Sequence, residues 1–255
     1  MKINLHCHSN YSDAYTTLAK MAEEHQKQGF SAFVVTDHCY PFFVKKETFE
    51  GRHLASYDKF ITQKQELKQI SEQLNFPCIQ GIELALYSEE VLVFGEKAIK
   101  QIFQFLEKRN ADASNEEKQA PDYHKKLSTE LINILKENKN HTAIILCHPR
   151  LAYIEEQQKQ QLFEIVDGYE IQNSGHYFFT DSSNKDVKTK WNREIPDELK
   201  CKKKFYNSDA HSLRCVNNTD GNFHTQKIEN EADIINFIKD NNFSAYYLQA
   251  QNHEY

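Results

Sequence analysis

Hydrophobic residues recur along this chain in short runs rich in β-branched side chains: Ile3–His8, Phe30–Thr36, Phe76–Glu83, Val91–Phe94, Ala143–Cys147, Gly168–Ile171, Phe205–Asn207 and Phe243–Leu248. Runs of this length between polar segments predict strands. Between most of them the apolar positions change to a helical spacing. Leu18, Met21, Ala22 and His25 follow i, i+3, i+4, i+7, and Gly29 is placed to stop that helix. Leu54, Tyr57, Ile61, Leu67, Ile70 and Leu74 suit a second helix; Leu127, Leu131, Ile134 and Leu135 suit another, and Ile234, Phe237 and Ile238 the last. Repeated strand–helix alternation predicts an α/β fold with a mainly parallel sheet, open or closed into a barrel. Two polar stretches, Arg109–Asp122 and Thr180–Lys204, are expected as long solvated excursions. No internal repeat divides the chain, so residues 1–255 are expected to form one domain.

Composition narrows the function classes. The 31 Lys+Arg against 37 Asp+Glu give a net charge of −6, which argues against a wide non-specific nucleic-acid surface. Hydrophobic residues at 39% suffice for a core, and with 7 Gly and 5 Pro linker-dominated architectures are excluded. No apolar run approaches the roughly 18 residues of a membrane span, and no apolar stretch follows Lys2 as in a signal peptide, so neither is expected. Cys7, Cys39, Cys78, Cys147, Cys201 and Cys215 form no Cys-x-x-Cys pair. They are expected to be reduced thiols of a cytoplasmic protein.

The first strand is where chemistry becomes legible. Ile3, Leu5 and Cys7 alternate with Asn4, His6 and His8, so a period of two puts both histidines on one face. Two imidazoles spaced this way can reach one cation. The other predicted strands end in comparable groups: Thr36-Asp37-His38, Gly81-Ile82-Glu83, Cys147-His148-Pro149-Arg150 and Ser208-Asp209-Ala210-His211, with Asp13 just past the first strand. Sites in parallel α/β folds assemble at that edge. The candidates are N and O donors, with no cysteine placed as a ligand, which suits Zn²⁺, Mn²⁺ or Fe²⁺.

Taken in order, His6-Cys7-His8, Ser12-Asp13, Thr36-Asp37-His38, Gly81-Ile82-Glu83, His148-Pro149 and Ser208-Asp209-Ala210-His211 resemble the motifs of the PHP (polymerase and histidinol phosphatase) family, over about residues 1–215. The resemblance implies a distorted (βα)7 TIM-like barrel with two or three divalent ions at the C-terminal ends of its strands. It implies that His6, His8, Glu83 and Asp209 hold the first ion. Glu83 would bridge to a second ion shared with His148, and Asp13, His38 and His211 would hold a third. The sequence departs from the family where a further histidine is usual before the fourth strand. Ser88-Glu89-Glu90-Val91 stands there, leaving Glu90 as a weak substitute, or two tight metals.

The implied activity is hydrolysis of a phosphoester, because ions about 3.5–4 Å apart lower the pKa of a shared water. Glu83, Asp209, His211 and Arg150 are the candidate catalytic residues, Arg150 as a cation for the phosphoryl oxygens; its blander reading is a surface arginine. Asp37 is expected to orient a ligand from behind. Asn173 and His176 are candidate substrate contacts or ordinary loop polar residues. Tyr177-Phe178-Phe179 reads as a lid or as loop packing. His25 is expected in the core, and His53, His124, His141, His224 and His253 outside the site. The expected partner is a small phosphorylated molecule, such as a nucleotide or sugar phosphate. Extended nucleic acid and membrane are not expected, and the oligomeric state is left open. The alternatives are a nuclease trimming oligonucleotide ends, an amide or lactone hydrolase with the same polynuclear centre, and a barrel that binds metal for stability alone.

Overall fold

The periodicities become elements in a computed structural model that describes residues 1–41, 53–87, 89–112, 114, 120–149, 156–173, 197–217 and 221–240. Helix α1 (Leu18–Lys27) starts at Thr17, whose hydroxyl accepts from Lys20 N–H, and buries Leu18, Met21, Ala22 and His25. It stops before Gly29, which adopts φ +74°, a conformation that costs other residues strain. Helix α2 (Tyr57–Leu74) is capped by the Ser56 hydroxyl and ends at left-handed Asn75. Helix α3 (Glu96–Asp112) was not expected, although Ala98, Ile99, Ile102, Phe103 and Leu106 keep a helical spacing and are all buried. It and α4 (Pro121–Glu137) take up the two ends of the excursion predicted at Arg109–Asp122. The remaining helices are α5 (Glu156–Ile165), α6 (Asp197–Lys200), α7 (Leu213–Asn217) and α8 (Glu231–Lys239).

The strands are β1 (Lys2–Ile3), β2 (Phe33–Val35), β3 (His38–Cys39), β4 (Cys78–Gln80), β5 (Ile82–Ala85), β6 (Glu90–Phe94), β7 (Ala143–Leu146), β8 (Gly168–Asn173), β9 (Lys203–Asn207) and β10 (Asn222–Phe223). The expected Phe76–Glu83 strand is split at Gly81. There β4 pairs with β2, and β5 pairs with β3. A side chain at Gly81 would meet the Phe94 ring at 2.6 Å, so only glycine lets the chain pass that close. The predicted strand at Phe243–Leu248 lies outside the described residues.

Among the described residues most pairings are parallel, but the strands do not close into the expected (βα)7 barrel. The strands form a mixed sheet in the order β3-β5-β6-β7-β8-β9 and two small pairs, β2-β4 and β1-β10. Strand β6 is antiparallel to both β5 and β7. The reason is the link from β5: Leu86 N–H closes a turn on the Glu89 carbonyl at 2.7 Å, and a turn this short permits only a hairpin. The first segment leaves regular pairing after Ile3 but stays extended. Thr36 N–H donates to the Cys7 carbonyl and His8 N–H to the Ala210 carbonyl.

The antiparallel β6 sorts the core. Leu92 and Phe94 face a cluster with Ile3, Leu5, Ile145, Phe205 and, from α8, Phe237. Val91 and Val93 face the helices on the other side. At the Phe94 end of β6, Gly95 and Glu96 N–H groups donate to the Glu231 carboxylate at the start of α8. The opposite end of β6 begins with Glu90.

Candidate metal centre

That opposite end is lined with histidines and acids. His6 and His8 point the same way from one extended segment, and their Nε2 atoms are 3.1 Å apart. His8 Nε2 is 2.9 Å from Asp209 Oδ1 and 3.4 Å from Glu83 Oε2. His6 Nε2 is 3.3 Å from Glu83 Oε1 and 3.4 Å from Asp209 Oδ1. Register supplies Glu83, because β3 and β5 lie side by side with His38 opposite it. Glu83 Oε1 is also 3.2 Å from His148 Nε2, and Glu90 Oε2 lies 3.5 Å from the same nitrogen. Asp13 Oδ1 stands between His211 Nε2 at 3.1 Å and His38 Nε2 at 3.5 Å. The rings of His38 and His211 each stack on His8 with centroids 4.2 Å away.

All eight residues expected as ligands therefore meet in one place, and Glu90 joins them. Glu90 reaches it by a route the parallel reading did not contain: the beginning of an antiparallel strand lies level with the ends of its parallel neighbours. Among the described residues, groups able to hold an ion are His6/His8/Asp209, His6/Glu83/His148, His38/Glu83/Glu90 and His8/Asp13/His38/His211. A further group includes Cys147 with His6 and Glu170. Burial, then Glu83 and Glu170 nearby, pushes the Cys147 thiol well up, which favours its protonated form.

The buried carboxylates and imidazoles of the cluster shift one another's ionisation strongly. Burial opposes ionisation of Glu83 and Asp13, yet the neighbouring imidazoles hold both carboxyls below their usual range. Burial lowers His8 to about 4, helped by His38 and His211, so its ring stays neutral. Burial also opposes charge on His6 and His148, but adjacent carboxylates outweigh it and raise both, His148 to about 9. Glu83 Oε2 and His38 Nδ1 are buried 2.6 Å apart in a geometry that makes no hydrogen bond. Carboxylates and imidazoles crowded together out of water, with Glu83 Oε2, His38 Nδ1 and Asp209 Oδ1 left without hydrogen bonds, fit a donor set for divalent cations.

The sequence profile of the PHP domain matches residues 4–243. The chain belongs to the PHP domain family. No curated protein matches it. Among solved structures, a protein of Bifidobacterium adolescentis provisionally described as a metal-dependent phosphoesterase shares 12% identity. The match covers 94% of this chain and 96% of that one, with a TM-score of 0.48. PsfC from Pseudomonas syringae shares 15% identity over 91% of this chain and 86% of its own, with a TM-score of 0.47. Both superimpose loosely, and membership rests on the family match.

Two carboxylates behind the centre of this PHP domain need separate accounts. Asp37, expected to orient a ligand, lies 3.9 Å from His8 Nδ1, beyond hydrogen-bond reach. It accepts instead from Ser9 N–H at 2.7 Å, Ser9 Oγ at 2.5 Å, Ser12 Oγ and Gln63 Nε2. Its role is to hold the loop that carries Asp13. Glu170 was not singled out from sequence. It is 2% exposed, and the signal was a lone acid among the apolar residues of a predicted strand. Of the remaining candidates, Arg150, His176 and Tyr177–Phe179 lie outside the described residues, as does the side chain of Asn173. His25 is fully buried, as expected, with Nδ1 2.7 Å from the Met21 carbonyl. His224 is buried too, bonded to Ser31 Oγ at 2.8 Å. No described helix is long and apolar enough to cross a membrane.

Proposed function

We propose that this PHP domain hydrolyses phosphomonoesters of small molecules, such as nucleotides or sugar phosphates, with two or three divalent ions of zinc, manganese or iron. The observation that carries the reading is the convergence of His6, His8, Glu83 and Asp209 through ligand atoms 2.9–3.4 Å apart, with His148 joining through Glu83 at 3.2 Å. His6, His8, Glu83 and Asp209 hold one ion. Glu83, His148 and Glu90 hold a second, with Glu90 in place of the expected histidine. Asp13, His38 and His211 hold a third. Bound ions supply Lewis acidity towards phosphoryl oxygens and a water of lowered pKa.

The protein's own groups set the geometry around that chemistry. Glu83 Oε1 lies beside both His6 and His148, so one carboxylate would be shared between two ions. His211 Nδ1 donates to the Asp209 carbonyl at 2.9 Å, which leaves Nε2 directed at Asp13. Asp13, Glu90 and His211 are the solvent-facing donors, with side chains 28%, 19% and 17% exposed, so a phosphate approaches from their side. Arg150, next after His148-Pro149 in the chain, is the proposed cation for the phosphoryl oxygens. Tyr15, two residues from Asp13 and 86% exposed, offers a stacking face to a base-bearing substrate. The net charge of −6 favours small substrates over polynucleotides.

The test is a panel of phosphomonoesters assayed with added Mn²⁺ or Zn²⁺, beside elemental analysis of the purified protein. Turnover above the His6→Ala and Asp209→Ala controls supports the reading. Equal rates in wild type and both variants on every ester would end it.

A further inference from the structure

The geometry points to Glu170 as a positioning residue that fixes the His6 ring for its ion and ties it to His148. This rests on the metal-centre reading above and adds a residue to it.

Glu170 lies on β8, immediately before a bulge at which pairing passes from Glu170–Phe205 to Gln172–Tyr206. Bulges re-aim side chains, and here the carboxylate is directed into the buried space behind the cluster. Three donors from three segments converge on it. Oε1 is 2.8 Å from His6 Nδ1 and accepts from Asn207 Nδ2 at 2.8 Å. Oε2 accepts from the His148 backbone N–H at 2.9 Å. Asn207 carries the connection further, since its Oδ1 accepts from Leu5 N–H at 3.1 Å.

A carboxylate only accepts, so the proton between it and His6 belongs to Nδ1. In the metal-loaded protein Nε2 then carries the lone pair, and Nε2 is the atom beside His8, Glu83 and Asp209. Glu170 thus chooses the ring nitrogen that meets the ion and raises its basicity. Because the same carboxylate holds the His148 backbone, it also sets the separation of residues proposed for two different ions. The bonds Glu170 makes to His6, Asn207 and His148 all lie on the His6 side of the centre, where its influence is expected to concentrate.

The experiment is a Zn²⁺ titration of wild type and Glu170→Gln followed by ¹⁵N NMR of the histidine side chains, which reports each ion separately. The expected result is a 10–100-fold weaker site at His6 and His8, with the His38 and His211 site unchanged. Equal weakening at both sites would mark a merely structural role and overturn the inference, as would unchanged binding at His6. If the variant does not fold, zinc-loaded wild type decides. His6 with a slowly exchanging Nδ1–H and zinc on Nε2 supports the inference, and zinc on Nδ1 overturns it. Wild type that takes up no zinc or other divalent ion would remove the metal reading itself, and this inference with it.

Discussion

Replacing His25 with leucine separates one titration from the many others in this protein. His25 is fully buried on α1, between Phe30 and Phe33 at centroid distances of 4.9 and 5.0 Å. Its Nδ1 is bonded to the Met21 carbonyl, and its Nε2 lies 3.4 Å from Asn4 Nδ2. Asn4 in turn binds Ser208 Oγ and the backbone of Ser208 and His6, so the ring ends a chain that reaches the centre. Burial lowers the folded pKa to about 4. The Met21 carbonyl and Glu24 oppose that shift, and Lys2 adds to it. The unfolded ring titrates near 6.5, so the unfolded state takes up the proton first. The contribution of the neutral ring is therefore complete above pH 6.5 and is lost as pH falls towards 4. Two and a half pH units correspond to about 3 kcal/mol in total, about 2 of it gone by pH 5. Leucine fills a similar volume without titrating. Urea unfolding of both proteins in chelator, at intervals from pH 7.5 to 4, should show their stability difference changing by that amount. The carboxylates and other histidines titrate in both proteins and cancel. A difference constant within about 0.5 kcal/mol across the range would refute the reasoning.

Three further outcomes are expected. Removing divalent ions with a chelator should abolish phosphatase activity and lower the melting temperature by about 5–10 °C, the equivalent of an ion at 100 times its Kd; calorimetry with and without added metal checks this. Gly81→Ala should cost about 1–3 kcal/mol, because the new methyl meets Phe94 at 2.6 Å and the Val93 carbonyl at 2.9 Å, as measured by urea unfolding. Tyr15→Ala should raise KM for nucleoside monophosphates about tenfold and leave sugar phosphates unaffected, as steady-state kinetics on both will show; a larger loss on dinucleotides would favour the nuclease reading.

What could be read from the sequence was set by whether the relevant spacing is local. The alternation of Asn4, His6 and His8 with Ile3, Leu5 and Cys7 is a property of six residues, and the segment keeps it although regular pairing ends at Ile3. Helices α1 and α2 were legible for the same reason, each with a cap beside its apolar period. Glu90 needed the direction of β6, which depends on a turn at residues 86–89 that the hydrophobic pattern does not encode. Glu170 needed a bulge and two partners, Asn207 and His148, from distant strands. Asp37 was expected to orient a ligand, but its bond to Gln63 from α2 was not legible, because Gln63 is a polar residue on an otherwise apolar face.

The same dependence on distant partners explains the backbone at Asp209. Its φ is +50°, in the left-handed region that disfavours side chains, although Asp tolerates it better than most. Such a residue persists when its surroundings over-determine it. Here Ser208 N–H donates to Asn4 Oδ1 on one side, and His8 N–H donates to the Ala210 carbonyl on the other. The turn is therefore held between two residues of the opening segment. It swings the Asp209 carboxylate out of the line of β9 and back to 2.9 Å from His8 Nε2. The opening segment that carries His6 and His8 and the turn that carries Asp209 hold each other's backbone through their own hydrogen bonds. The placement of Asp209 beside His8 is thus set by hydrogen bonds of the fold itself.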